Sequence, residues 1–207
     1  MIDLYISEPL EGLEKQVNAV LFDCDGTLVD TMDAHYRSWT AILRDRGVQA
    51  PLSYDHFCIW GGMAGKLVAR EICSLLEIDH DPEELALLKR KHFLDQAHDH
   101  PLISPIVDFA RKVAKTHPVA VVSGGNRQTV DQTLTSSGLK DLFSVIVTPE
   151  DVVHGKPAPD MYLLAAEKLG VNPEDCLVLE DGPPGIEAAT SAGMRVVAVG
   201  PAASMMK

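Results

Sequence analysis

The sequence predicts an α/β fold, a doubly wound parallel sheet into which a helical segment is inserted after the first strand. Three observations carry this. Short runs of valine and leucine recur along the chain without alternating with polar residues, as expected of strands buried on both faces. Helical stretches that stop at glycine separate the later runs. Finally, the stretch between Phe22 and Val119 is far longer than one crossover needs, and most of it reads as helix.

The strands are expected at Ala19–Phe22, Val119–Val122, Val145–Val147, 177–179 and 196–199. A helix over 127–137 stops before Gly138, Asp160–Leu169 stops at Gly170, and 184–192 stops at Gly193. In the long insertion, 33–46 places Tyr36, Trp39, Ile42 and Leu43 at helical spacing before Gly47. Residues 66–76 do the same with Leu67, Val68, Ile72, Leu75 and Leu76. Asp81 reads as an N-cap, with Pro82 at the first helical position and Glu83 and Glu84 in a first turn that favours anions. That helix is expected to run to about Ala97. Residues 32–100 are therefore read as a helical cap domain, and residues 1–31 with 101–207 as the α/β core domain. Such sheets bind ligands beyond the carboxyl ends of their strands.

Composition narrows the function. The 207 residues are 46% hydrophobic and 23% charged, which suits a soluble protein with a real core, and no apolar run reaches membrane-spanning length. The first residues lack the basic-then-apolar layout of a secretory signal, so a cytoplasmic protein is expected. The formal net charge of −12 argues against nucleic acid and acidic membrane surfaces as partners. An anionic substrate would bind only where local cations overcome that field. The four cysteines show no zinc-site spacing and read as buried, reduced thiols. A cysteine-nucleophile phosphatase would need arginine six residues after its cysteine. Asp30, Ala64, Asp79 and Gly182 stand there instead.

The chemistry begins in V-L-F-D-C-D-G-T-L-V-D-T, where an apolar strand ends in two carboxylates, Asp23 and Asp25, with Gly26 behind them. Burying paired carboxylates is costly unless a cation or hydrogen bonds hold them. A turn is one reading. A calcium loop is another, but it would need glycine at its sixth position and glutamate at its twelfth. Three further features favour chemistry. Ser123-Gly124-Gly125 follows the second strand and can offer a hydroxyl and backbone N–H groups to an anion. Gly155-Lys156-Pro157-Ala158-Pro159-Asp160 holds one lysine in a rigid setting, and Glu180-Asp181-Gly182 is a second acidic pair at a strand end. A parallel sheet brings all of these to one edge.

FDCDGTLVD, VVSGG, GKPAPD and LEDGPPGI together resemble the four motifs of the haloacid dehalogenase superfamily, and the insertion resembles the cap of its beta-phosphoglucomutase-like branch. The resemblance implies a Rossmann-like core and a Mg²⁺-dependent phosphotransferase. Asp23 would be the nucleophile that forms an aspartyl-phosphate, and Asp25 the acid/base. Asp23, the Asp25 backbone carbonyl and Asp181 would hold Mg²⁺, with Glu180 beside them. Ser123, Gly124 and Lys156 would bind the phosphoryl oxygens. In the cap, His35 would assist Asp25, Lys66 in the loop G-G-M-A-G-K would meet a second anionic group, and Lys91 would bind phosphate. A surface histidine and a solvated charge run over Lys89–Lys91 are the plain alternatives. Trp60 would line the entrance or pack in the core, and Cys24 would point into the core.

Two departures matter. The mutase has a serine and a lysine where this chain has Gly125 and Asn126, which removes a cation and argues against a mutase. Gly182 stands where the family more often has a serine after the aspartate, which leaves the metal ligands untouched. A zinc site from His92, His98 and His100 is set aside in favour of solvent-facing histidines. The expectation is a monomeric Mg²⁺-dependent phosphatase acting on small phosphomonoesters, sugar phosphates foremost. A sugar phosphate mutase is the alternative, and a phosphate-binding protein without catalysis comes third.

Overall fold

A computed structural model describes residues 4–49, 52–96 and 99–201. Six strands form one sheet in the order β1-β6-β5-β2-β3-β4. They are β1 (Leu4–Ile6), β2 (Ala19–Phe22), β3 (Val119–Val122), β4 (Val145–Val147), β5 (Cys176–Glu180) and β6 (Arg195–Pro201). All neighbours run parallel except β1, which pairs antiparallel with β6. The sequence reading did not foresee β1, because three residues at an edge carry too little periodicity to register.

Eight helices accompany the sheet among the described residues: α1 (Met32–Asp45), α2 (Tyr54–Ile59), α3 (Gly65–Leu76), α4 (Pro82–Leu94), α5 (Ser104–Val113), α6 (Arg127–Ser136), α7 (Asp160–Leu169) and α8 (Pro183–Ser191). The Asp81 side chain accepts from the Glu83 N–H and starts α4 as an N-cap should. That helix ends at Leu94, short of the expected limit, and Ala97 lies outside the described residues. Two helices, α2 and α5, were not anticipated. The latter buries Ile106, Val107, Phe109, Ala110 and Val113 at helical spacing.

Side-chain alternation along the strands divides the core into two clusters. Val20, Phe22, Val121, Leu177 and Leu179 pack with α5 and α6, and Cys24 joins them. Ala19, Leu21, Val122 and Val178 pack on the other side with Met161, Tyr162, Ala165 and Ala166 of α7. Both faces are covered, which is why the strands read as continuous apolar runs. A third cluster lies among α1–α4, centred on Trp39, Ile42, Phe57, Ile72 and Leu85. Replacing Trp39, which is 2% exposed, by alanine would cost about 3–5 kcal/mol.

Register sets up the site. Phe22 is level with Leu179 of β5 and with Val121 of β3, so Asp23 emerges beside Glu180 and Val122. Among the described residues no helix is long and apolar enough to cross a membrane.

Candidate active site

The carboxyl ends of β2, β3 and β5 form the floor. Asp23 is 1% exposed, and its backbone N–H donates to the Leu179 carbonyl at 3.0 Å. The Lys156 ammonium is fully buried and touches one acceptor from each of the three strands. It lies 2.7 Å from Asp23 Oδ1, 2.8 Å from the Val122 carbonyl and 2.8 Å from Glu180 Oε2. Burial alone would lower its pKa, but Asp23 and Glu180 hold it well above the ordinary lysine value. Lys156 is thus a fixed cation with all three donors aimed.

The acids outnumber it. Burial and the Glu180 charge push the Asp23 carboxyl well above the usual range, and the same two causes push up Asp181. Asp23 Oδ2 is buried without a hydrogen-bond partner among the described residues. Asp181 Oδ1 accepts a 3.2 Å bond from Thr27. Oxygens of Asp23, Glu180 and Asp181 lie within 4.8 Å of one another. An orphaned buried oxygen inside an all-oxygen donor set fits a hard dication such as Mg²⁺. No other such group of His, Cys, Asp and Glu occurs among the described residues, and His98 lies outside them. Gly26 makes the approach possible. Its φ is +92°, and a Cβ there would stand 2.2 Å from Asp181 Oδ2.

Asp25 has a different environment. It accepts from the Thr31 hydroxyl at 2.6 Å and lies 3.2 Å from His35 Nε2, while the Ser123 hydroxyl stands at 3.5 Å. Burial would raise its pKa, but His35 and the bonds from His35 and Thr31 hold it below the carboxylate range. His35 stacks on Phe93 with ring centroids 4.0 Å apart, and its Nδ1 meets Lys89 Nζ at 2.5 Å. Burial and Lys89 lower the imidazole pKa, so the neutral ring accepts from Lys89 at Nδ1 and donates from Nε2 to Asp25. Lys89 itself, enclosed by the rings of Trp39 and Phe93, is lowered by burial to about 8.

Lys89 is the residue that sequence reasoning missed. It assigned the phosphate contact to Lys91, but Lys91 is exposed and does not line the cavity, whereas Lys89 and Arg90 do. Two positions along a helix turn the side chain by about 200°, so the choice between Lys89 and Lys91 depends on helix phase. Thr31 was also overlooked, although it stands directly after the first motif.

A cavity of about 670 Å³ opens between this floor and α1–α4. Asp23, Asp25, Ser123, Gly124 and Asn126 line its inner end, and His35, Trp60, Lys66 and Lys89 line the helical side. Asn126 Oδ1 is engaged as the N-cap of α6, accepting from the Thr129 N–H at 3.0 Å. Lys66 pairs with Glu83 on the surface. The loop Gly61–Met63 rests directly on the floor. A Cβ at Gly124 would fall 1.9 Å from the Gly62 carbonyl oxygen, and one at Gly182 2.4 Å from that of Gly61. Of the expected site residues, only Lys91 is not brought to the cavity or its acidic floor.

A family model for haloacid dehalogenase-like hydrolases matches residues 17–193. The fructose-1-phosphate phosphatase YqaB of Escherichia coli is 34% identical over 180 residues, covering 87% of this chain and 95% of the relative. Beta-phosphoglucomutase of Bacillus subtilis is 28% identical, covering 92% and 86%. The crystal structure of CbbY from Rhodobacter sphaeroides with xylulose-(1,5)bisphosphate superposes with a TM-score of 0.74 at 25% identity, covering 87% of this chain and 84% of that one. The chain belongs to the haloacid dehalogenase-like hydrolase family. It is an enzyme of the phosphatase kind.

Proposed function

We propose that this enzyme hydrolyses small phosphomonoesters, sugar phosphates foremost, through a phosphoryl group carried transiently on Asp23. The observation that carries the reading is the contrast between two carboxylates one residue apart. Asp23 is clamped on one oxygen by Lys156 and free on the other, whereas Asp25 is held by Thr31 and His35. Two environments give two roles. The bond from Lys156 fixes the Asp23 side chain, so that one carboxylate oxygen can face the cation while the other attacks phosphorus in line. Asp25 rests as an anion, the form that takes a proton from the hydrolytic water. To give a proton to the leaving oxygen it must be released from His35 and Thr31, and the negative charge of an arriving phosphoryl group favours its protonation.

Asp23 and Asp181 would hold Mg²⁺ directly, with the Asp25 carbonyl, and the ion would offset the repulsion between carboxylate and phosphoryl group. Glu180 was expected among the metal ligands. Its oxygens already accept from Lys156, Tyr162 and the Gly182 N–H, so it serves better as the anchor of Lys156. Ser123 and the Gly124 N–H would receive the phosphoryl oxygens, with the Lys156 ammonium beside them as a fixed positive charge. Residues 32–100 would act as the cap over a core of 1–31 and 101–207. The seating of Gly61–Met63 on Gly124 and Gly182 supports a closed arrangement that excludes water. The lack of a lysine at Asn126 favours water over a sugar hydroxyl as acceptor.

The test is phosphate release from a panel of hexose, pentose and polyol phosphates, fructose 1-phosphate among them, with Mg²⁺ and with chelator. Metal-dependent release from a few sugar phosphates is expected. Turnover only of beta-glucose 1-phosphate with a bisphosphate primer would replace this reading by the mutase.

A further inference from the structure

We infer that Tyr162 is a positioning residue, acting through Glu180 to keep the Lys156 ammonium aimed at Asp23; the inference rests on the phosphatase reading above. Tyr162 lies on α7 and is fully buried within the cluster of Met161, Ala165 and Ala166. A phenylalanine ring would fill that space equally well. A hydroxyl at such depth costs free energy unless it has a partner, so its presence needs a reason beyond packing.

Its partner is Glu180. The phenol donates to Glu180 Oε2 at 2.7 Å, the same oxygen that accepts from Lys156 at 2.8 Å. Lys156 in turn reaches Asp23 at 2.7 Å, and its Nζ stands 5.2 Å from the Tyr162 ring centroid. Hydroxyl, carboxylate, ammonium and Asp23 form one chain of hydrogen bonds with no exposed member.

The geometry shows what the hydroxyl prevents. Glu180 sits close enough to Asp23 and Asp181 to join them around a cation. It has no slack on the other side, because a Cβ at Gly185 would come within 2.1 Å of its carboxyl carbon. The Gly182 N–H at 3.2 Å holds Oε1. Among the described residues Tyr162 and Lys156 alone hold Oε2, so the phenol helps keep that oxygen turned to the lysine and away from the acidic pair. Loosening it would free Glu180 to compete for the cation and would leave Lys156 with a wandering anchor.

The experiment is Tyr162→Phe in the full chain, alone and combined with Glu180→Gln. Turnover on the best sugar phosphate is measured beside calorimetric titration of Mg²⁺ into the resting protein. In Tyr162→Phe, kcat falls about tenfold with KM changed less than threefold, and Mg²⁺ binds about threefold more tightly. In the Glu180→Gln background, adding Tyr162→Phe changes neither quantity more than about twofold. Wild-type Mg²⁺ binding and kcat in Tyr162→Phe would overturn the inference, whatever happened to its melting temperature. Additive effects in the double variant would overturn it too. If the wild-type chain released no phosphate from any ester, the phosphatase reading would fail, while the calorimetric cycle would still decide the role of Tyr162.

Discussion

The floor of the cavity and the helices above it recruit their charged groups by different rules. On the floor, parallel register decides. Once Phe22, Val121 and Leu179 are level, the next residues of three strands must meet, and Asp23, Val122 and Glu180 converge on one ammonium. Above it, helix phase decides, and no backbone ladder ties α4 to α1. Lys89 reaches His35, while Lys91, on the same helix, points to solvent. The floor therefore gathers its charged groups by register, and the helical side separates neighbours sharply.

The floor gives the largest expected effects. Asp23→Asn lowers kcat by at least about 10³-fold with the fold intact by circular dichroism. Retained activity would mean that another group attacks phosphorus. Asp25→Asn slows the same assay by roughly 10²-fold or more, through loss of the proton acceptor.

The comparison within α4 comes next. Lys89→Met lowers kcat/KM about tenfold, whereas Lys91→Met stays within about twofold of wild type, since only the first touches the His35–Asp25 pair. Equal effects of the two variants would erase the distinction drawn from helix phase.

Metal binding should then show in stability. With three carboxylates, two of them buried, facing one ammonium, a dication relieves repulsion that is otherwise stored in the folded state. Mg²⁺ at about 100 times its Kd raises the melting temperature by roughly 5–10 °C, and Asp181→Asn removes most of that shift.

The smallest effect belongs to pH. Lys89 is held at about 8 against an ordinary 10.5, so between those values the unfolded chain binds more protons than the folded one. Stability gains a contribution as pH rises from about 8 to 10.5, and Lys89→Met loses it. Parallel stability–pH curves for the two proteins over that window would contradict the enclosure of Lys89.

What the sequence could disclose follows the same division. Its motifs sit where strands end, so Asp23, Asp25, Ser123, Lys156, Glu180 and Asp181 were legible as one cluster before any coordinates. Strand β1 was not, because three edge residues carry no pattern. The helical side was half legible: His35 stands in a conspicuous stretch, but K-R-K offers three consecutive cations and no clue to which one faces inward. Tyr162 was hidden for another reason. A buried aromatic at helical spacing reads as core, and its hydroxyl acquires a partner only when β5 is laid alongside.

The most direct test is a single-turnover reaction of Asp25→Asn with a sugar phosphate and Mg²⁺, quenched in acid and mapped by peptide mass spectrometry. The expected result is one phosphoryl group on the peptide that contains Asp23, appearing before phosphate is released. A phosphoryl group on any other side chain, or phosphate release with no labelled protein at any time, would contradict the nucleophile assigned to Asp23.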